Sequence, residues 1–128
     1  MSFFVLLWER ITKLKMRGTA KSVWEIACIY HMEKIFNRMK DRYFIDKDSA
    51  TEGMHYAILW GDEEWVNYFL TRPLRKRGYH LAEAAKAGNI TILNILLSNG
   101  YEIKDLIIYG NCTRYPFNVK KFLRNSRK

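Results

Sequence analysis

The sequence predicts a single all-α domain, a short α-solenoid of about four degenerate helical hairpins with an amphipathic helix at its N-terminus. Three observations support this. Apolar residues recur at helical spacing along most of the 128 residues, and a self-similar pattern returns every 27 or 30 residues. No segment shows the sustained alternation of a strand, and no Asn-Gly or Asp-Gly pair joins two such segments into a hairpin. With 48% apolar residues and two prolines, the composition is that of a packed domain and excludes a disordered chain.

The first predicted element is an amphipathic helix at about residues 3–17. Its apolar residues lie at i, i+3, i+4 and i+7 spacing, namely Phe4, Leu7, Trp8, Ile11 and Leu14. Its other face is basic, so the helix either packs on the next helix or lies on an anionic membrane surface. We favour the packed helix. The apolar run is far shorter than the roughly 20 residues of a membrane span.

The first hairpin is predicted at about residues 22–44. Ser22 followed by Glu25 forms a plausible capping box before an apolar run, and a second helical stretch covers about 32–43. The polar segment 45–51 is predicted to be a connecting loop.

The repeat is defined by positions that align when the chain is shifted by 27 or 30 residues. They are a small residue (Ala27, Ala57, Ala84), a residue that ends the helix (His31, Gly61, Gly88) and a residue that caps the next helix (Asp62, Asn89). The repeats fall at about 22–44, 52–72, 79–100 and 102–124, with a basic tail at 120–128, all within one domain spanning 1–128. One hairpin cannot bury its own apolar face, whereas stacked hairpins share a continuous core.

This pattern resembles ankyrin repeats, and the unit at 79–101 carries the resemblance best. His55 lies two residues before Ala57, where the family usually places a buried histidine that hydrogen-bonds the backbone. The chain lacks the family's Thr-Pro-Leu-His signature, and its units are shorter than the family's roughly 33 residues. The loops between hairpins should therefore be short, and another α-solenoid remains the alternative.

The divergent repeat sequence, rich in Ile, Lys, Asn and Tyr, resembles that of ankyrin-like proteins of large cytoplasmic DNA viruses. The multigene-family proteins of asfarviruses are the most similar group. Bacterial effectors with ankyrin repeats are the main rival source. A viral member would be a host-interaction factor that acts in the host cytoplasm on innate antiviral signalling.

Chemistry-bearing motifs are scarce, so we expect no enzyme, no catalytic residue, no metal and no cofactor. Cys28 and His31 have the spacing of half a zinc site, but no second pair completes it. The acidic run 62–64 lies at a predicted helix start, where the helix dipole favours negative charge. Because no secretory signal pattern is evident, Cys28 and Cys112 are expected to be reduced thiols in a cytosolic protein.

The remaining function classes are binding functions. The ankyrin resemblance implies a concave surface formed by inner-helix residues, which here are Ile26, Tyr30, Tyr56, Trp60 and Glu83; this predicts a protein partner. The alternative is nucleic-acid binding, since the net charge is +9 and basic residues cluster in two places. These residues are Arg72, Arg75, Lys76 and Arg77 in one loop, and Lys120, Lys121 and Arg124 near the C-terminus. The oligomeric state stays open.

Overall fold

The computed structural model describes residues 20–109 and 115–126, and all regular secondary structure within them is α-helical. The helices are α1 (Ala20–Ile29), α2 (Glu33–Met39), α3 (Lys47–Trp60), α4 (Glu63–Leu70), α5 (Gly78–Lys86), α6 (Ile90–Ser98), α7 (Ile103–Tyr109) and α8 (Phe117–Ser126). The predicted all-α class is confirmed for this part of the chain. The amphipathic helix predicted at residues 3–17 lies outside the described residues, as does Cys112.

The turns that close the first three hairpins share one geometry. In each, a backbone N–H bonds the carbonyl five residues earlier: Met32 to Ala27 at 2.8 Å, Asp62 to Ala57 at 3.0 Å and Asn89 to Ala84 at 3.0 Å. The residue before each donor adopts a left-handed conformation, with φ of 52° at His31, 67° at Gly61 and 70° at Gly88. Glycine reaches this region without steric strain, which explains its use in two of the three turns.

The residue that follows each left-handed turn position begins the next helix. The Asp62 side chain accepts a hydrogen bond from the Trp65 N–H at 3.1 Å, and Asn89 does the same for Ile92 at 3.0 Å. Both predicted caps are thus confirmed. Met32 occupies the corresponding position before α2 and has no side-chain cap there.

The helices pack in an orderly succession. Helix α1 packs on α3, α3 on α5 and α5 on α7, while α4 packs on α6 and α6 on α8. Ala27, Ala57 and Ala84 lie fully buried on α1, α3 and α5. Their small side chains allow these helices to approach each other closely. The buried apolar residues from Val23 to Leu123 form one contiguous cluster.

Aromatic side chains fill the core between the first two hairpins. The Phe36 ring stacks on Trp65 at 3.9 Å between centroids and meets Phe69 edge-on at 5.7 Å. Gly53 on α3 makes room for the Phe69 ring, because a Cβ at that position would overlap the ring. This close approach explains a glycine in the middle of a helix, where its conformational freedom is otherwise unfavourable.

Two predicted helix starts were wrong. The segment 45–51, predicted to be a loop, contains the first turn of α3, because the Asp46 side chain caps the Ser49 N–H at 2.7 Å. Two of its polar residues, Ser49 and Thr51, are buried, and the Thr51 hydroxyl donates to the Lys47 carbonyl at 2.7 Å. In the first hairpin, the described part of α1 already includes Ala20, so Ser22 lies inside the helix and is not its N-cap.

Among the helices of residues 20–109 and 115–126, none combines the length and apolar character needed to span a bilayer.

Candidate functional site

Exposed apolar side chains concentrate at the C-terminal ends of α1 and α3. Of the six large apolar residues that are exposed in the described part of the chain, four lie here: Ile29 (37% exposed), Tyr30 (68%), Leu59 (51%) and Trp60 (50%). The 30-residue shift of the repeat places Ile29 on Leu59 and Tyr30 on Trp60. We call these four residues the aromatic patch. Two neighbouring hairpins therefore expose apolar side chains at equivalent positions.

Trp60 is held in place although half of its surface is exposed. Its indole N–H donates to the Ile29 carbonyl at 3.3 Å, and its ring stacks on His31 with 5.2 Å between centroids. Both contacts join α3 to the preceding hairpin. An indole fixed in this way loses little side-chain freedom when a partner covers it.

His31 and Asp62 connect the turns of the first two hairpins. The His31 Nε2 atom lies 2.8 Å from one Asp62 carboxylate oxygen, while the other oxygen caps α4. Glu33 is near, with a carboxylate oxygen 3.8 Å from the same nitrogen. These three side chains bring ligand atoms of the kind that hold divalent cations within 4.8 Å of one another. Since the helix cap and His31 already occupy the Asp62 carboxylate, we assign it to joining the turns.

Cys28 is not a member of that group, although the sequence spacing paired it with His31. The thiol is buried and free of any disulfide. Burial, and secondarily the nearby Glu25 carboxylate, raises the pKa of Cys28 to about 12. A thiol that stays protonated at neutral pH is a poor nucleophile and a poor metal ligand.

The predicted binding residues differ in their exposure to solvent. Tyr30 and Trp60 are exposed, whereas Ile26, Tyr56 and Glu83 are partly buried at equivalent positions on α1, α3 and α5. A pocket between α1 and α3 is lined by Glu25, Ile29, Glu52 and Tyr56. Sequence reasoning missed Ile29, Leu59 and the two glutamates. An aliphatic residue directly before the aromatic one in both units was the available signal.

The buried histidine of the repeat is His80 and not His55. His80 is fully buried, and its Nε2 atom lies 3.1 Å from the Thr51 carbonyl, one hairpin back. Its Nδ1 atom lies 2.8 Å from the Tyr101 hydroxyl. The Nδ1 atom of His55 is buried with no hydrogen-bond partner in the described residues. The role that the ankyrin resemblance implied for His55 is thus filled by another residue.

The predicted basic residues all lie at the surface on two separate elements, the loop between α4 and α5 and the helix α8. Two of the loop arginines make intramolecular contacts. The Arg72 guanidinium lies 5.1 Å from the Tyr68 ring centroid, and Arg75 pairs with Asp48 at 3.4 Å. These contacts hold part of the loop's positive charge against the protein's own surface.

No family model matches this chain, and no curated protein or solved structure matches it either.

Proposed function

We propose that this chain is a short ankyrin-like α-solenoid that binds a protein partner through the aromatic patch and performs no catalysis. The observation that carries the proposal is the exposure of Tyr30 and Trp60, with Ile29 and Leu59 beside them, at equivalent positions of adjacent hairpins. Contiguous exposed apolar surface of this kind is typical of interaction sites.

The helix order supports the solenoid. Contacts run from each hairpin to the next, as they do in repeat proteins. Several hydrogen bonds between hairpins match the repeat length, spanning 28–31 residues in Trp60 to Ile29, Tyr68 to Lys40, His80 to Thr51 and Asn118 to Gly88. One surface of such a stack is built from equivalent residues of successive units.

The residue types support binding of a protein. Tryptophan and tyrosine are enriched among the residues that contribute most to protein–protein affinity. Trp60 is already positioned by its contacts with His31 and the Ile29 carbonyl. A large, fixed aromatic side chain at the surface is well suited to anchor a partner.

The biological setting follows from the sequence resemblance alone. By that resemblance, the chain acts as a viral host-interaction factor in the host cytoplasm and dampens innate antiviral signalling. The partner would then be a host protein.

An affinity purification from eukaryotic cell extract tests the binding function. We expect proteins recovered with the unaltered chain to be lost, by tenfold or more, with Trp60→Ala or Tyr30→Ala. Phe44→Ala is the matched control, because Phe44 is 87% exposed and lies outside the patch. Equal recovery of the bound proteins with the unaltered chain and with all three variants would contradict the proposal.

Nucleic-acid binding is the second candidate, supported by the exposure of all seven predicted basic residues. Fluorescence polarisation with generic duplex and single strands, at low and moderate salt, separates the two functions. Phosphate contacts would weaken steeply with salt and would be lost when Arg75, Lys76 and Arg77 are replaced together.

A further inference from the structure

We infer that the segment bound at the aromatic patch is basic as well as apolar, a stretch of partner protein in which Lys or Arg side chains flank aliphatic or aromatic ones. This inference rests on the proposed function, because it specifies the chemistry of the partner at the same surface. It goes beyond that function in predicting the sign of the partner's charge.

The hairpin that carries Trp60 is acidic within a basic protein. The whole chain has a formal net charge of +9, yet residues 48–71 contain five acidic residues and no Lys or Arg. The acidic residues are Asp48, Glu52, Asp62, Glu63 and Glu64. This stretch, which includes the patch residues Leu59 and Trp60, is therefore locally acidic, and Asp48 at its far end pairs with Arg75.

Carboxylates also line the pocket that adjoins the patch. Glu25 and Glu52 face it together with Ile29 and Tyr56, so apolar and acidic side chains share one surface. Ile29 belongs to both the pocket and the patch. Within the described residues, neither glutamate forms an ion pair with a Lys or Arg. An incoming cation would thus meet carboxylates that no described basic side chain neutralises.

Exposed side chains that follow the patch in sequence add to this charge. Glu63 and Glu64 follow Trp60 within four residues and are exposed. An indole face also attracts Lys and Arg side chains directly. The carboxylates and the ring faces both favour a cationic neighbour for the apolar anchors.

Screening by salt determines whether the nearby carboxylates or the overall positive charge of the protein acts on a bound segment. At physiological ionic strength the screening length is about 8 Å. Glu25 and Glu52 share a pocket with Ile29 of the patch, whereas the basic helix α8 contacts α6 and has no comparable packing on α1 or α3. The net charge of +9 therefore governs long-range approach, and the acidic hairpin governs what docks. Nucleic acid, with its phosphates, is disfavoured at this surface.

Selection from a phage-displayed library of random 16-residue peptides tests the inference. We expect peptides selected on the unaltered chain to be enriched in Lys and Arg together with aliphatic or aromatic residues. The best peptide, synthesised with a fluorophore and titrated at 150 mM salt, should bind at least tenfold more weakly to Trp60→Ala. The combined variant Glu52→Gln, Glu63→Gln, Glu64→Gln should weaken it at least fivefold and flatten its salt dependence.

Controls make each outcome decisive. Glu102→Gln removes an exposed carboxylate outside α3 and α4 and should leave binding unchanged. Leu59→Ser repeats the test of the patch at a second exposed residue, and circular dichroism checks that each variant is folded. Neutral or acidic peptides that still depend on Trp60 would overturn the inference while leaving the interaction surface intact. Peptides indifferent to Trp60 and Leu59, or self-association through the patch, would overturn both the inference and the proposed function.

Discussion

At the scale of single residues, His80 shows how burial decides the chemistry of a side chain. Its Nε2–H donates to the Thr51 carbonyl, so its unprotonated Nδ1 accepts from the Tyr101 hydroxyl, which suits a neutral imidazole. Burial lowers the pKa of His80 from 6.5 to about 4, although the hydrogen bond to Thr51 opposes the shift. The folded protein therefore resists protonation of this ring.

This lowered pKa predicts a loss of stability in mild acid. Above pH 6.5 the ring is neutral in both states, but between pH 6.5 and 4 only the unfolded chain takes up the proton. We expect the contribution of His80 to the free energy of unfolding to fall by about 2 kcal/mol between pH 7 and pH 5. Urea denaturation of the unaltered chain and of His80→Gln measures it as the difference between their pH profiles. Parallel profiles would contradict the prediction.

At the scale of elements, the turn is the unit that the sequence repeats. A left-handed residue followed by an acceptor side chain ends one helix and begins the next at Gly61-Asp62 and at Gly88-Asn89. The first hairpin departs from this pattern. His31 takes the left-handed position, and its ring bonds Asp62 of the second hairpin. A cap residue thereby also joins two hairpins.

This double role predicts that Asp62 contributes more to stability than Asn89. Asn89→Ala removes a cap and should cost about 1 kcal/mol. Asp62→Ala removes a cap and the contact with His31, and should cost about 2 kcal/mol. His31→Gly removes the ring without straining the backbone, so a double-mutant cycle of His31 and Asp62 in urea isolates their coupling. Strictly additive effects in that cycle would show that the contact contributes nothing.

At the scale of the whole molecule, packing between neighbours suggests that stability is local. Each helix contacts its hairpin partner or the adjacent hairpin, and units whose contacts join mainly near neighbours can open separately. The core nevertheless runs without interruption from Val23 to Leu123. Because the main contacts join neighbouring hairpins, we expect a core substitution at one end to destabilise its own hairpin and the next one and to leave the far end unchanged.

Hydrogen exchange tests this expectation. Leu123→Ala truncates a buried side chain of α8 and should cost about 2–4 kcal/mol locally. We expect faster exchange in α7 and α8 and unchanged protection in α1 to α4. Phe69→Leu, which alters the central aromatic cluster, is the contrasting variant and should speed exchange on both sides of α4. Uniform loss of protection with Leu123→Ala would indicate a single cooperative unit.

Local features of this chain were predictable because their causes are local. The helix-ending glycines Gly61 and Gly88 and the caps Asp62 and Asn89 act within a few residues of their own position, and the structure has them where the repeat alignment predicts. The start of α3 was missed, because Asp46 and the buried Ser49 read as loop residues when considered without their partners.

By itself, the sequence determined the helical class, the turns and the positions of the fully buried alanines, since spacing and backbone preference act along the chain. Only the tertiary structure decided which histidine is buried, that Ile29 and Leu59 remain exposed beside Tyr30 and Trp60, and that Glu25 and Glu52 share a pocket with them. Burial and shared surfaces depend on residues some 30 positions apart, which no local pattern encodes.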